Sequence, residues 1–163
     1  MKRIEYKIEM PFIYDASHKG APYTLDGGKT HKNNGEFSES VGKHHRGLDY
    51  MVNPATSFDT GSDIESLNAS VKSSGASLAC LYGTDKEEIL NEYFERVHST
   101  LWIYMVNIEN ETMIEYHMNA DEFRTFLNEW SGLAVESGKE KRYKVRIKKT
   151  SGKMIKWLEE RVG

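Results

Sequence analysis

The sequence has one cysteine, three prolines and no long apolar run, and these shortages exclude several classes of protein. Cys80 can form no internal disulfide, and its position in the apolar run 76–81 predicts a buried small side chain rather than a nucleophile. The first residues lack the apolar stretch of a signal peptide, and no segment approaches the length of a membrane-spanning helix. We therefore expect a cytoplasmic protein with no membrane partner.

Two common kinds of ligand site are also missing from the sequence. The six histidines show no zinc-ligand spacing with cysteine, and His44 and His45 are predicted to point to different faces of a helix. Residues 27–30, Gly-Gly-Lys-Thr, lack the spacing of a phosphate-binding P-loop. The net charge of −3 argues against a protein that coats nucleic acid indiscriminately, but it permits a local basic surface.

The first third of the chain combines a strand pattern with loop composition. At 163 residues the chain is predicted to form a single domain, 1–163, with its own core. Apolar residues alternate from Ile4 to Phe12, which predicts an N-terminal strand, and loop-like residues follow over 15–35. Residues 1–33 are therefore interpreted as an N-terminal strand and an arm. A helix with Phe37, Val41 and His44 on one stripe is predicted to end at Gly47, and a strand is predicted over 48–52.

The rest of the chain alternates between helix and strand patterns. Strands are predicted over 101–106 and 113–118, and an edge strand is predicted over 143–147. Three helices are predicted from capping residues, and the second of them is predicted to carry Leu133 on its inner face. These capping residues are Asp85 with Glu88, Asn119 with Glu122, and Ser151. The predicted fold class is α/β (α+β), with one mixed β-sheet flanked by helices.

Residues 58–74 carry the most informative pattern. Gly61 and Asn68 are interpreted as turn residues, with short strands at 63–64 and 69–72. Paired in this way, the two strands would point Asp63 and Lys72 into one cleft. The alternative is that Asp63 only caps a turn and that Lys72 is a solvated strand residue.

A carboxylate and a lysine in one cleft can share a phosphate. Asp63 would hold Mg²⁺, or Mn²⁺ as a substitute, and Lys72 would offset charge on the phosphate or help water to lose its proton. A helical acid is needed as a further metal ligand. Glu36 is the preferred candidate, and Glu39 and Asp59 are the alternatives.

Basic and hydroxyl side chains could contact a nucleic acid. On a C-terminal strand, alternate cations would form a stripe that follows a phosphate backbone, although the same stripe could be a solvated edge that prevents aggregation. A hydroxyl-rich loop directly after Lys72 could bond phosphates or base edges, or be an ordinary loop. The candidate DNA-binding residues are Lys144, Arg146 and Lys148 on the strand, Ser73, Ser74 and Ser77 in the loop, and Lys19 and His31 in the arm.

The order of these motifs resembles the core of the PD-(D/E)XK restriction-endonuclease-like superfamily. The resemblance depends on Gly35-Glu36, on Gly61-Ser62-Asp63-Ile64 and on Val71-Lys72-Ser73-Ser74. Trp102-Ile103 in an apolar strand and Glu129-Trp130 at a helix end extend it. It covers roughly residues 33–160, and the layout is similar to that of a small type II restriction enzyme.

The resemblance implies a restriction-endonuclease-like core that cleaves double-stranded DNA with Mg²⁺, commonly as a homodimer. By position, Asp63 matches the first metal-binding acid of the family and Lys72 matches the active-site lysine. Ser70 stands where the family has a second acid. Either Glu36 or Glu65 then supplies the ligand, or the chain is a DNA-binding module without hydrolysis. A domain whose basic stripe binds an acidic protein is a third possibility.

Overall fold

The computed structural model describes residues 1–9, 12–14, 23–25, 38, 41–42, 44–46, 63–78, 83–135 and 142–163. Of residues 12–14, 23–25 and 65 it describes the backbone alone. The strands are β1 (Lys2–Lys7), β2 (Phe12–Tyr14), β3 (Tyr23–Leu25), β4 (Ala69–Ser73), β5 (Leu101–Ile108), β6 (Thr112–Met118), β7 (Ser131–Val135) and β8 (Tyr143–Ile147). The helices are α1 (Lys86–Arg96), α2 (Ala120–Trp130) and α3 (Gly152–Glu159), with a 3₁₀ turn at Glu65–Leu67.

A four-stranded mixed sheet forms the centre of the protein, in the order β1-β6-β5-β4. Strands β1, β6 and β5 are antiparallel neighbours, whereas β4 runs parallel to β5. The parallel pair needs a crossover, and α1 lies within it. The predicted mixed sheet flanked by helices is therefore confirmed. Strands β2 and β3 form one separate hairpin, and β7 and β8 form another.

The three capping predictions are confirmed. The Asp85 side chain accepts a hydrogen bond from Glu88 N at the start of α1. Asn119 and Glu122 form a reciprocal capping box at the start of α2, and Ser151 accepts from Met154 N in α3. Each side chain satisfies a backbone N–H that has no partner within its own helix.

Both faces of the sheet are buried, which explains the nearly continuous apolar pattern of β5. One face carries Trp102 and Tyr104, which pack with buried residues of all three helices. The Trp102 ring stacks on Phe123 of α2, with ring centroids 5.6 Å apart. The other face carries Ile103 and Met105, which cluster with Val41 and other apolar side chains. Alternate residues of one strand therefore serve two different cores.

A buried charge cluster lies on the second face, between the sheet and helical residues 44–46. The carboxylate of Glu115 is fully buried and accepts hydrogen bonds from Tyr6 Oη at 2.7 Å, from His117 Nε2 at 2.9 Å and from Arg46. Burial alone would raise the pKa of Glu115, but the hydrogen bonds from His117 and Tyr6 and the charge of Arg46 hold it below its usual value. The ring of Tyr6 also stacks on His45, with centroids 3.7 Å apart.

Several sequence predictions about strands need correction. Strand β1 ends at Lys7, and Phe12 begins a different strand, β2. A short strand, β3, lies inside the predicted loop 15–35.

His44 is exposed, although it was predicted to share a helical stripe with the buried Val41. Helical backbone is described at 38, 41–42 and 44–46. The predicted helix end at Gly47, the strand over 48–52 and Cys80 lie outside the described residues.

The chain after α2 also differs from the prediction. Leu133 continues the helical spacing of Trp130, but it lies in β7 and is 42% exposed. Strand β8 was predicted to be an edge, yet it pairs with β7 on one side and bridges to Ser77 and Gly83 on the other. Ser77 and Gly83 are distant from β8 in the sequence, so the local pattern contains no sign of these bridges.

None of the helices in the described part of the chain is long and apolar enough to span a bilayer.

Candidate active site

A tight hairpin positions Asp63 beside strand β4. Ile64 forms an antiparallel bridge with Ala69, and Asp63 N donates to Ala69 O at 2.8 Å. The 3₁₀ turn between them is followed by Asn68, whose φ of 46° lies in the left-handed region that asparagine tolerates. The predicted turn at Asn68 and the pairing of the two short segments are therefore confirmed. Gly61 lies outside the described residues.

The Asp63 carboxylate is held against the backbone of β4. Its Oδ2 accepts a hydrogen bond from Val71 N at 2.7 Å. Burial raises the pKa of Asp63, while the Val71 hydrogen bond and the positive charge of Lys72 oppose that rise. A carboxylate in this state is stabilised by any added cation, because a nearby positive charge offsets the cost of ionising it in a partly buried position.

The charges of Asp63 and Lys72 both act on the phenol of Tyr93. Lys72 pairs in register with Tyr104, so both lie on the face of the sheet that packs against the helices. Burial raises the pKa of Tyr93. The charge of Lys72 and the hydrogen bond from Trp102 oppose that rise, whereas the charge of Asp63 adds to it. The Tyr93 hydroxyl accepts from Trp102 Nε1 at 3.0 Å.

Tyr93 was not among the predicted site residues, and its side chain is buried on the inner side of α1, with 1% exposed. A buried phenol also needs a hydrogen-bond partner, and this requirement is the signal that could have marked Tyr93 as more than an apolar contact. The helix brings this hydroxyl towards the hairpin because α1 connects β4 to β5.

Ser70 occupies the position where the family resemblance has an acid. Its hydroxyl lies 2.7 Å from the hydroxyl of Ser99, and both residues are buried. Ser99 follows α1, so this contact joins the crossover to strand β4. A longer acidic side chain at residue 70 would have to displace Ser99 or enter the buried space as a charge.

The other predicted metal ligands lie outside what the structure describes. Glu36, Glu39 and Asp59 fall outside the described residues, and Glu65 is described by its backbone alone, in the 3₁₀ turn. Within the described ranges, no three His, Cys, Asp or Glu side chains are grouped so that they could hold a metal ion. Among the predicted metal ligands, Asp63 is therefore the one whose side chain the structure describes, and the charge of Lys72 acts on its carboxylate.

The hydroxyl-rich loop after Lys72 contacts the end of strand β8. Arg146 Nε donates to Gly75 O at 3.0 Å, and Ser77 forms a β-bridge with Arg146. Ser74 Oγ accepts from Thr150 N at 2.9 Å. Gly75 has a φ of +75°, which a residue with a side chain adopts only with strain. The predicted DNA-binding loop, with Ser74 and Ser77, therefore lies next to the predicted DNA-binding strand, with Arg146.

The basic stripe on β8 has the predicted alternation. Val145 and Ile147 are buried, whereas Arg146 and Lys148 are exposed and Lys144 is half-buried. Arg146 also stabilises the Gly75 loop, so its role is partly structural. The arm residues Lys19 and His31, which were predicted to contact DNA, lie outside the described residues.

No protein-family model, curated protein or solved structure matches this chain.

Proposed function

We propose that this protein is a Mg²⁺-dependent endonuclease of the restriction type that hydrolyses phosphodiester bonds in double-stranded DNA. The observation that carries the proposal is the hairpin, which holds the Asp63 carboxylate where the charge of Lys72 lowers its pKa. An acid and a lysine at one strand end suit phosphate chemistry, because the acid can bind a hard cation and the ammonium can stabilise the phosphate.

The donor set at Asp63 fits a divalent cation that also binds the substrate. Magnesium commonly uses one or two carboxylates and completes its coordination with water and phosphate oxygens. One Asp63 oxygen bonds Val71 N, which fixes the carboxylate, and among the described residues Oδ1 has no hydrogen-bond partner and could bind a cation. The ion would supply a Lewis acid at the attacked phosphate. Glu36, Glu39 and Glu65 remain the candidates for a second acidic ligand, and Mn²⁺ is the expected substitute metal.

Other side chains of the protein would act on the phosphate, position the catalytic groups and bind the DNA. Lys72 would neutralise charge on the attacked phosphate and assist the loss of a proton from water. Tyr93, held by Trp102, would act as a positioning residue beside Lys72 and Asp63. The β8 stripe would follow the DNA backbone, and Ser73, Ser74 and Ser77 would contact DNA close to Lys72. A homodimer, which the resemblance to the restriction-endonuclease-like superfamily implies, is the expected form of the protein in the cytoplasm.

A second candidate is a DNA-binding module on the same fold that does not hydrolyse DNA. The specific observation in its favour is the buried contact between Ser70 and Ser99, which places a neutral pair where a second acid is expected. In this case the β8 stripe and the loop would still bind DNA.

The test is cleavage of a mixed-sequence plasmid in Mg²⁺ and in Mn²⁺ by the parent protein and by two variants. Asp63→Asn removes the charge but keeps an acceptor for Val71 N, and Lys72→Ala removes the ammonium. Matched controls are Asp121→Asn on the exposed start of α2 and Lys2→Ala on β1, at the opposite edge of the four-stranded sheet.

We expect discrete fragments from the parent and both controls, and a loss of at least about a hundredfold in Asp63→Asn and Lys72→Ala, because both groups stabilise the transition state. If Asp63→Asn cleaved DNA as fast as the parent, Asp63 would not be a metal ligand. Absence of scission with either metal, in a protein that still shifts duplex DNA on a gel, would support the second candidate.

A further inference from the structure

A pocket of about 270 Å³, lined by both polar and apolar side chains, lies where the parallel strands β4 and β5 end. Ser73 and Ser74 line it from the end of β4, Asn107 lines it from the end of β5, and Asn110 lines it from the turn between β5 and β6. In open α/β sheets, the crevice at the carboxyl ends of parallel strands is the usual place for a ligand. The pocket lies at the end of β4, the strand that carries Lys72.

The cations of β8 lead to the same pocket. Lys149 and Thr150, which follow the stripe, form part of its wall. Thr150 is fixed there, since its N donates to Ser74 Oγ at 2.9 Å and its hydroxyl lies 2.5 Å from that of Tyr104. A DNA backbone that followed the stripe would therefore place its bases near the pocket, because backbone contacts set the register of the duplex on a protein.

The two asparagines hold each other in fixed orientations. Asn110 N donates to Asn107 Oδ1 at 3.0 Å, and Asn107 Nδ2 donates to Asn110 Oδ1 at 2.7 Å. The turn is tight, with left-handed φ values of 50° at Glu109 and 59° at Asn110. Asn110 Nδ2 donates to none of the described residues, and Asn110 Oδ1 retains a second lone pair. Asn110 thus presents a donor and an acceptor side by side.

This combination fits a base edge better than a phosphate. A phosphate only accepts hydrogen bonds and carries negative charge, whereas the pocket is lined by an anion, Glu109, as well as by a cation, Lys149. The amide of asparagine matches adenine in the major groove, where N6 donates and N7 accepts. Serine and threonine hydroxyls can serve either role.

We propose that this pocket reads one base pair in the major groove, and that Asn110 contacts its adenine through Oδ1 and Nδ2. The inference rests on the proposed DNA function and adds a specificity determinant to it. Lys72 would act on the phosphate, the β8 stripe would hold the backbone, and Asn110 would select the sequence.

The experiment is selection of binding sites from randomised duplexes, with Ca²⁺ in place of Mg²⁺. Asn110→Gly removes the amide without straining a left-handed residue. Asn68→Gly makes the same replacement at the left-handed turn of the Asp63 hairpin, which is outside the pocket. Asn110→Asp keeps an acceptor for Asn107 Nδ2 but presents only acceptors to the DNA.

We expect the parent and Asn68→Gly to select one motif that contains an adenine. Asn110→Gly should lose the preference at that one position, keep the others, and bind the parent motif roughly tenfold or more weakly. Asn110→Asp should prefer cytosine there, because the cytosine N4 amino group donates to a carboxylate. Lys2→Ala, which changes a remote cation, should leave the motif unchanged.

An unchanged motif in Asn110→Gly would overturn the inference and leave the nuclease proposal standing. Duplex binding by the parent without any preference would overturn the inference and the restriction type of the proposed cleavage, and would leave only cleavage without sequence preference. An adenine preference in a protein that never cuts DNA in Mg²⁺ or Mn²⁺ would overturn hydrolysis and leave the inference standing. A parent protein that binds no duplex would overturn both.

Discussion

A half-buried carboxylate at Asp63 has an energetic cost that can be measured without substrate. Its pKa is raised by burial, so ionising Asp63 in the folded protein is less favourable than in the unfolded chain. The associated stability is therefore present below the ordinary pKa of an aspartate and is lost as the pH rises through the folded pKa. A residue that is costly to ionise at neutral pH and adjoins a lysine is a candidate for function rather than for stability.

Asp63→Asn should therefore unfold at a higher temperature than the parent near neutral pH. Asparagine keeps the hydrogen bond from Val71 N and has no charge to desolvate. The advantage should shrink as the pH falls through the carboxyl range, since the parent Asp63 becomes protonated there. Thermal unfolding at several pH values measures this difference, with Asp121→Asn as the exposed control. A variant that is less stable at every pH would contradict the predicted cost.

Ser70 allows a direct test of whether a second acid can be accommodated beside Lys72. Ser70→Glu should destabilise the protein by several kcal/mol in the absence of metal, because it forces a carboxylate into the buried contact with Ser99. Part of this loss should be recovered in Mn²⁺ or Mg²⁺ if the new carboxylate and Asp63 share the ion.

The measurement for Ser70→Glu is the melting temperature with and without metal. Ser70→Ala is the matched variant, since it removes the hydroxyl without adding a charge, and its melting temperature should respond to metal no more than that of the parent. An equal metal response in Ser70→Glu and the parent would show that residue 70 does not face the ion.

At the scale of elements, the Glu115 cluster ties helical residues 44–46 and strand β1 to strand β6. Arg46 is one of its members, and its Nε is buried without a hydrogen-bond partner in the described part of the chain. The Glu115 carboxylate is consequently the main compensation for a partly buried guanidinium. Removing one member of such a group leaves the other charge without compensation.

Glu115→Gln should cost about 3–5 kcal/mol of folding stability at neutral pH. The pKa of Glu115 is lowered in the folded protein, so its contribution is complete above the ordinary value of 4.5 and is lost as the pH falls through the folded pKa. Denaturant unfolding of parent and variant at neutral and acidic pH measures the difference. The exposed Glu92→Gln is the control, and a cost that did not decrease in acid would contradict the assignment.

Element ends were predictable where a local signal exists. Asn119 and Glu122 predicted the start of α2 because a capping box involves residues three apart in the sequence. The end of that helix was misjudged, since Leu133 keeps the helical spacing while its backbone pairs with β8. Long-range pairing overrides periodicity at such positions, and the sequence alone does not specify the partner.

At the scale of the whole molecule, the sequence predicted the sheet and the Asp63 hairpin but not the contacts between distant segments. The hairpin is local, so turn residues and spacing were sufficient. The partners of Glu115 come from β1 and from helical residue Arg46, and the contact of Ser70 with Ser99 depends on how α1 crosses the sheet. Such contacts depend on the packed fold and have no counterpart in sequence spacing.

DNA affinity should depend on salt in a way that reports the β8 stripe. Each neutralised phosphate contributes about 0.9 to the slope of log K against log salt, so Lys148→Ala should reduce the slope by about that amount. Lys2→Ala changes the charge equally at the far side of the sheet and should leave the slope unchanged. Binding titrations over a range of salt concentrations measure both. Equal slopes in the parent and Lys148→Ala would exclude this lysine from the DNA contact.

The position of β4 in the sheet has a consequence for the order of folding. Strands β5 and β6 are joined by a short turn, whereas β4 reaches β5 only after the chain has passed through α1. Closing the longer loop costs more chain entropy, so we expect the β5–β6 hairpin to form first and β4 to join it later. Because β4 carries Lys72 and anchors Asp63, a partly folded chain would contain a stable hairpin but no assembled centre. A newly synthesised molecule would then gain any capacity to attack DNA only when its folding is nearly complete.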